Sequence, residues 1–278
     1  MKRTLIITTA TIILLSACSS GAKPDPALVS LPTNNPVEYY AVLAEKDQYA
    51  DVNMTDLPVD YIDIQRLRNI LEELGWDPAQ IHDLKEFTRE DLQEELDWLE
   101  ETVDANDLVF FYVTAHGNYL RYYVDWEKFF PAEWAEIPSS RRVLLVDACT
   151  AAEFTKPIAK DPGPHLSIAA VDEDEYGWKG LADEGLPIVG GVFTFYFTEG
   201  LQDPKADKNG DGRISIQEAA LFAEDKQRTY MHEVVFGVDE FLEMYHDLGV
   251  RPDQDKEFPD VIIDDRLGSD LLLETGIE

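Results

Sequence analysis

Basic residues are scarce in this sequence. The 278 residues include 23 Lys and Arg against 56 Asp and Glu, which gives a formal net charge of −33 at pH 7. Such a surface repels polyanions, so the composition argues against nucleic acid as a partner and favours cationic partners, either basic peptides or divalent metal ions. Solubility or adaptation to salt explains the charge equally well.

The hydrophobic run at the N-terminus is short. Residues 5–15 are too few to cross a bilayer as a helix, and they follow two basic residues, Lys2 and Arg3. The run leads into the sequence LSAC, ending at Cys18, which resembles a bacterial lipobox, where the signal is cut before the cysteine and that cysteine is acylated. We therefore expect a signal peptide over residues 1–17 and lipidation at Cys18. The alternative is an ordinary signal peptide without acylation.

Lipidation at Cys18 would hold the protein on a membrane of the bacterial cell envelope. Ser19, rather than Asp, follows the cysteine, which by the usual sorting rule indicates the outer membrane, facing either the periplasm or the cell surface. Residues 18–36 are rich in Ser, Pro, Asn and Gly and show no apolar period. We interpret them as a lipidated tether that precedes a folded domain over residues 37–278.

Cysteine is almost missing from the chain, which has two residues of this type, Cys18 and Cys149. If Cys18 is acylated, Cys149 has no partner within the chain. The mature protein then has no disulfide, although it lies in a compartment that forms them. A single thiol in that compartment is expected either to be buried or to be used chemically.

Hydrophobic runs alternate with helical segments along the folded domain. The runs have the apolar and β-branched character of buried strands, and the segments have helical spacing or capping signals. Strands are predicted over residues 37–44, 81–84, 107–117, 141–149 and 165–174, and helices over 61–74, from Thr88 onward, over 192–201 and over 216–228. This alternation predicts an α/β fold with a mainly parallel sheet.

Two of the predicted strands end in residues with chemical function. One ends in the sequence TAHG, residues 114–117, with His116 and Gly117 at its tip, and the next ends at Cys149. In open parallel sheets the ligand site lies beyond the carboxyl ends of the strands, so neighbouring strands would bring imidazole and thiol into one crevice. A Cys/His pair there suits nucleophilic acyl transfer, and the N–H groups of Gly117 and Cys149 suit an oxyanion hole. Taken singly, His116 is also explained as a capped histidine at a strand end, and Cys149 as a buried thiol.

The sequences VFFYVTAHG and RVLLVDAC, which contain this pair, resemble those of the caspase-like cysteine peptidases, the group of caspases, metacaspases and legumains. The stretches YYAVLA, GGVFTFYFTEGL and FPDVIIDDRLGSDLLL are similar to the first strand, a later helix and the closing segment of that group. The resemblance implies a three-layer α/β/α sandwich with a mainly parallel six-stranded sheet. It also implies a cysteine endopeptidase with His116 as general acid/base and Cys149 as nucleophile, needing no cofactor for the chemistry.

The chain differs from the family pattern at two points beside this pair. Ala115 stands where the family often has Gly, and Thr150 begins a stretch, TAAE, where the family often has Ser-Gly. The alternative function is therefore a catalytically inactive caspase-like envelope lipoprotein that uses the same crevice to bind peptides or protein partners.

The resemblance also implies a substrate preference. In metacaspases and legumains the acid two residues before the cysteine lines the pocket for the residue that precedes the cleaved bond, and Asp147 has that position. A buried carboxylate needs a partner, and a basic substrate side chain would supply one. We therefore expect cleavage after Arg or Lys, with Asn second. Asp172 and Asp174 either add negative potential at the rim or form a solvated acidic loop.

The sequence DKNGDGRISIQE, residues 207–218, fits the twelve-residue EF-hand calcium loop at every constrained position. The predicted ligands are side-chain oxygens of Asp207, Asn209, Asp211 and Glu218, the carbonyl of Arg213, and Ser215 directly or through water. A single unpaired loop is expected to bind calcium weakly, at ~10⁻⁴ to 10⁻³ M, in a structural or regulatory role. The alternative is an acidic, glycine-rich turn.

Overall fold

A six-stranded sheet forms the centre of the domain. The computed structural model describes residues 35–57, 59–180, 187–235, 237 and 259–276, and every structural statement below refers to these residues. The strands are β1 (Tyr39–Glu45), β2 (Ile81–Lys85), β3 (Leu108–Thr114), β4 (Arg141–Asp147), β5 (His165–Ala169), β6 (Lys179–Gly180), β7 (Gly190–Gly191) and β8 (Ile262–Asp265). The main sheet has the order β2-β1-β3-β4-β5-β8, and β6 and β7 form a separate two-stranded ribbon.

The first five strands of the sheet are parallel and β8 is antiparallel to β5. Seven helices accompany them in the described residues: α1 (Ile62–Glu73), α2 (Arg89–Thr102), α3 (Gly117–Tyr119), α4 (Trp126–Glu136), α5 (Ala152–Thr155), α6 (Val192–Gly200) and α7 (Ile216–Tyr230). Two π-helical turns, Leu120–Val124 and Met231–Val235, extend α3 and α7. None of the helices in this part of the chain has the length and apolar character needed to cross a bilayer.

Alternate residues of each strand pack into different layers, as the pleat of a strand requires. Val42 and Phe111 belong to the core that α2, α4 and α5 cover. Leu43 and Phe110 belong to the core on the opposite face, which α1, α6 and α7 cover. The predicted α/β/α sandwich with a mainly parallel six-stranded sheet is confirmed.

Helix termini fix how the helices meet the sheet. Thr88 caps α2 with a reciprocal capping box to Asp91, as the sequence predicts. Helix α1 has no side-chain cap of its own, and instead the Glu45 carboxylate at the end of β1 accepts a hydrogen bond from the Ile64 N–H at 3.1 Å. The helix therefore begins against the carboxyl edge of the sheet.

Three predicted strands end earlier than expected. The strand predicted to reach Cys149 ends at Asp147. The strand predicted to reach Gly117 ends at Thr114, and Gly117 begins α3. The strand predicted to reach residue 174 ends at Ala169, because the Asp172 N–H turns to the Glu175 carboxylate at 2.9 Å. The predicted signal peptide over 1–17 and the lipidated Cys18 lie outside the described residues.

Candidate active site

The structure brings His116 and Cys149 to the same edge of the sheet. Strands β3 and β4 are parallel neighbours, and Thr114 is paired with Asp147 where they end. His116 and Cys149 each follow two residues later, and both line a cavity of about 390 Å³. The imidazole and the thiol therefore face one crevice, as the sequence predicts for neighbouring strands.

Three contacts hold His116 in place. Its backbone N–H donates to the Tyr49 hydroxyl at 2.8 Å, and the two rings pack with centroids 4.8 Å apart. Its Nε2 lies 2.9 Å from the carbonyl oxygen of Thr55. A carbonyl can only accept, so this contact assigns the proton to Nε2 and leaves the lone pair of a neutral ring on Nδ1. His116 is thus arranged to take a proton through Nδ1.

The Cys149 sulfur lies 3.6 Å from the carbonyl oxygen of Gly177, to which the thiol donates. The residue keeps partial exposure, but burial, together with the charge of Asp147, raises the pKa of its thiol to about 11. The thiol is therefore protonated at neutral pH. A nucleophilic reaction at this sulfur needs the thiol proton to leave, and His116 lines the same cavity.

The backbone around Cys149 is tightly constrained. A Cβ on Gly117 would lie 2.4 Å from the Cys149 carbonyl oxygen, so only glycine allows the two segments to approach this closely. Thr150, directly after Cys149, has φ 56°, a strained conformation for a β-branched residue, and its N–H donates to the Glu175 carbonyl at 2.8 Å. The N–H groups predicted to form an oxyanion hole belong to these two touching segments.

Asp147 is buried beside the N-terminal turn of α6. Its Oδ2 accepts from the Thr194 hydroxyl at 2.7 Å and from the Thr194 N–H at 3.2 Å. Burial and the charge of Asp63 raise the pKa of Asp147 to about 6, against the opposing effect of the Thr194 hydrogen bonds. Asp147 also lines a smaller cavity, of about 80 Å³, together with Cys149 and Lys179.

Lys179 and a set of carboxylates form the part of the site that the sequence analysis missed. The Lys179 ammonium lies 2.6 Å from Glu45, 3.1 Å from Asp47 and 3.3 Å from Asp63. Burial and the charges of Asp63 and Asp47 raise the pKa of Glu45 to about 8. Burial lowers the pKa of Lys179, but the surrounding carboxylates outweigh it and hold that pKa above its ordinary value. The one signal in the sequence is Glu45, an acid at the end of an otherwise apolar strand.

Asp172 and Asp174 lie apart from this crevice. Neither residue lines the two cavities that contain Cys149. The Asp172 carboxylate accepts from the N–H of Glu173 at 2.7 Å, within a turn, and Asp174 is exposed. The structure does not bring these two acids together with the other predicted site residues.

The loop over residues 207–218 folds as a turn in which the loop's own acidic side chains accept hydrogen bonds from its backbone N–H groups. The Asp207 carboxylate accepts from the N–H groups of Gly210 and Gly212, and Gly212 has φ 84°. The Glu218 carboxylate accepts from Lys208, Asn209 and Ser215 at 2.9–3.1 Å. Asn209 Oδ1 and Asp211 Oδ1 accept from the N–H groups of Asp211 and Arg213, both at 2.8 Å.

These residues fit calcium in chemical type, because Asp, Asn, Glu and Ser oxygens and a backbone carbonyl are the ligands it prefers. Each Glu218 oxygen accepts two hydrogen bonds within the loop, so chelation by Glu218 would need some of them to break. Across the described ranges, however, no three His, Cys, Asp or Glu side chains gather as a metal-ligand group. The calcium site therefore stays a prediction.

Comparison with known proteins identifies the family. A family model described as the caspase domain matches residues 39–226, well over half of the chain, so the chain belongs to the caspase domain family of cysteine peptidases. Among solved structures it is similar to caspase-1 from Spodoptera frugiperda, with a TM-score of 0.52 and 12% sequence identity over 87% of this chain and 95% of that one. At that identity the likeness shows the fold alone. No curated protein matches the chain.

Proposed function

We propose that this protein is a cysteine endopeptidase that hydrolyses peptide bonds through Cys149 and His116. The observation that supports this most directly is the placement of both side chains in one cavity at the paired ends of β3 and β4. Membership of the caspase domain family supports the reaction class. The natural substrates are then peptides or proteins.

The geometry supports a specific order of proton transfers. The Thr55 carbonyl holds the Nε2 proton of His116, so Nδ1 accepts the thiol proton and the thiolate attacks the peptide carbonyl carbon. The N–H groups of Gly117 and Cys149 stabilise the oxyanion, and the imidazolium returns its proton to the leaving amine. Water, activated by the same imidazole, then hydrolyses the thioester and frees the sulfur.

Cleavage after Arg or Lys, with Asn second, is the preference we propose. Asp147 lies in the small cavity beside Cys149, and the nearby Asp63 adds a second negative charge. The overall charge of −33 attracts basic peptides weakly and without direction. Asp172 and Asp174 would contribute only to this long-range field. A larger cavity of about 790 Å³ shares Arg121 with the Cys149 cavity and offers room for an extended chain.

A catalytically inactive relative that binds peptides or protein partners in the same cleft is the second candidate. Two observations favour it. Burial raises the pKa of the Cys149 thiol to about 11, which disfavours the thiolate. The thiol also donates to the Gly177 carbonyl rather than to His116.

Turnover of fluorogenic peptides separates the two candidates. The purified mature protein is assayed on peptides with Arg, Lys, Asn or Asp before the reporter, with and without calcium, beside a Cys149→Ala variant. A peptidase cleaves the Arg and Lys peptides fastest and loses all turnover on Cys149→Ala. Turnover that survives Cys149→Ala contradicts the dyad. Peptide binding without turnover on any sequence supports the inactive relative.

We also propose that the mature protein is acylated at Cys18 and held on the outer membrane of a bacterial cell, with residues 18–36 as the tether and calcium bound at 207–218. The support is the LSAC sequence, Ser19 and the loop motif. Metabolic labelling with a fatty acid should mark the wild type and not Cys18→Ala, and the labelled protein should fractionate with membranes. Label on Cys18→Ala, or none on the wild type, contradicts the anchor.

A further inference from the structure

The Lys179 ammonium lies in a buried ion-pair cluster directly behind the candidate nucleophile. The side chains of Glu45 and Asp63 are 0% exposed and that of Asp47 is 3% exposed, against 10% for Lys179. Arg66 approaches Asp63 from the outer side at 3.3 Å. The cluster therefore holds more carboxylates than cations, and Lys179 is the cation on the side of Cys149.

The cavity behind Cys149 connects the cluster to the reaction site. Lys179, Asp147, His116 and Cys149 all line its volume of about 80 Å³. That space takes a few water molecules and is too small for the side chain of arginine. A basic side chain entering beside Cys149 would have to replace the Lys179 ammonium as the partner of the carboxylates.

We propose that Lys179 is a specificity-determining residue, whose ammonium competes with the basic side chain of a substrate for the carboxylates of Glu45, Asp47 and Asp63. This inference rests on the proposed peptidase function. With Lys179 in place, the preference for Arg and Lys side chains over the uncharged, hydrogen-bonding side chain of Asn is smaller than these carboxylates alone would give. Displacing or removing the ammonium restores the full preference for basic residues.

The element that carries Lys179 suits displacement. β6 is two residues long and pairs only with β7, with Lys179 opposite Gly191, and so short a ribbon is marginally stable. The Gly191 N–H donates to both oxygens of Asp63 at 2.9–3.0 Å. A Cβ on Gly191 would lie 2.3 Å from Asp147, so this glycine keeps the ribbon against the acids.

A kinetic comparison tests the competition. Lys179→Met removes the charge and keeps most of the chain length, and Lys179→Arg keeps the charge. We expect Lys179→Met to raise the ratio of kcat/KM for Arg peptides over Asn peptides by about tenfold or more, as when a competing charged hydrogen bond is removed. Lys179→Arg and the exposed control Lys226→Met should leave the ratio within about twofold. An unchanged or lower ratio in Lys179→Met overturns the proposal.

A binding experiment without turnover keeps the outcome independent of the peptidase proposal. In a Cys149→Ala background, Lys179→Ala should gain thermal stability from n-butylammonium or propylguanidinium, and Lys179→Arg should not. Because unpaired buried carboxylates can prevent folding, Lys179→Met combined with Glu45→Gln is the second variant.

The two experiments fail in different ways. Cation binding with no turnover on any peptide rejects the peptidase and keeps the assignment of the pocket. Peptide turnover without cation binding in either Lys179 variant keeps the peptidase and rejects the competition.

Discussion

Thr114 is paired with Asp147 at the ends of the parallel strands β3 and β4. This single register places His116 and Cys149 at the same height on one edge of the sheet. A slip of β4 by one residue against β3 would turn the side chains of β4 to the opposite face and separate the two groups. The candidate dyad therefore depends on strand pairing, and small changes near the strand ends should affect rate more than binding.

Tyr49→Phe tests whether the backbone of His116 is held for catalysis. The substitution removes the hydroxyl that accepts from the His116 N–H at 2.8 Å and donates to the Lys46 carbonyl at 2.8 Å. We expect kcat to fall about tenfold and the free energy of unfolding to fall by about 1–3 kcal/mol, because two polar groups lose their partner. KM should stay within about twofold, since Tyr49 lines neither cavity that contains Cys149.

Tyr123→Phe is the matched control, because the Tyr123 hydroxyl donates to Asp51 on the surface and the residue is 51% exposed. It should leave kcat unchanged. An equal fall in kcat for both variants, or a rise in KM without a fall in kcat for Tyr49→Phe, contradicts a positioning role.

Gly117→Ala tests the close approach at the nucleophile. The new methyl group would lie 2.4 Å from the Cys149 carbonyl oxygen, so one of the two backbone segments must move. We expect kcat to fall by about 10², the cost of a displacement of roughly 1 Å at a reacting group. Gly200→Ala, which meets Phe222 and Ala219 at 3.0–3.1 Å away from the site, should alter thermal stability and leave kcat unchanged. Wild-type kcat in Gly117→Ala would show that this approach has no catalytic part.

Thr194→Val tests how Asp147 stays ionised. The Thr194 hydroxyl lies 2.7 Å from Asp147, and its hydrogen bond opposes the burial that raises the pKa of Asp147 to about 6. Without the hydroxyl the pKa of Asp147 should rise by about 1 unit or more. As the pH is lowered, kcat/KM for Arg peptides should therefore begin to fall at a higher pH than in the wild type. Thr194→Ser keeps the hydroxyl and should keep the wild-type pH profile. The pH dependence of kcat/KM is the measurement, and identical profiles for Val and Ser contradict the role of this bond.

Glu45 should make the protein less stable as the pH rises. Burial raises its pKa from 4.5 to about 8, so the folded state binds this proton more tightly than the unfolded state. The resulting stability is complete below about pH 4.5 and is lost as the pH rises through about 8.

Glu45→Gln stays neutral and keeps an acceptor for Lys179, so its free energy of unfolding should change less between pH 5 and pH 8 than that of the wild type. Denaturant unfolding at several pH values measures the slope. The partly exposed Glu72→Gln should keep the wild-type slope. A wild-type slope in Glu45→Gln would mean that the titrating group lies elsewhere.

The parts of this fold that depend on neighbouring residues in sequence were predictable, and the parts that depend on distant ones were not. The apolar run that forms β3 and the capping signal at Thr88 are local, and the structure shows both, with the strand ending at Thr114. The Lys179–Glu45 ion pair joins residues 134 apart. The Thr55 carbonyl is equally hidden, because a backbone group has no sequence signature and only the path of residues 48–57 brings it to His116. The raised pKa of Cys149 arises from burial, which composition alone does not give.

Calcium should stabilise the folded protein through the loop over residues 207–218. For a dissociation constant of ~10⁻⁴ to 10⁻³ M, ~10 mM calcium adds about 1.4–2.7 kcal/mol to the free energy of unfolding. Glu218→Gln should abolish this gain, because a neutral amide is a weaker and less chelating ligand than the carboxylate. The same variant should keep α7 intact, since glutamine also completes the capping box with Ser215.

Calorimetric titration and thermal unfolding with and without calcium measure both effects, and Asp225→Asn, on the exposed face of α7, is the control. Equal stabilisation of wild type and Glu218→Gln would place the bound calcium outside this loop.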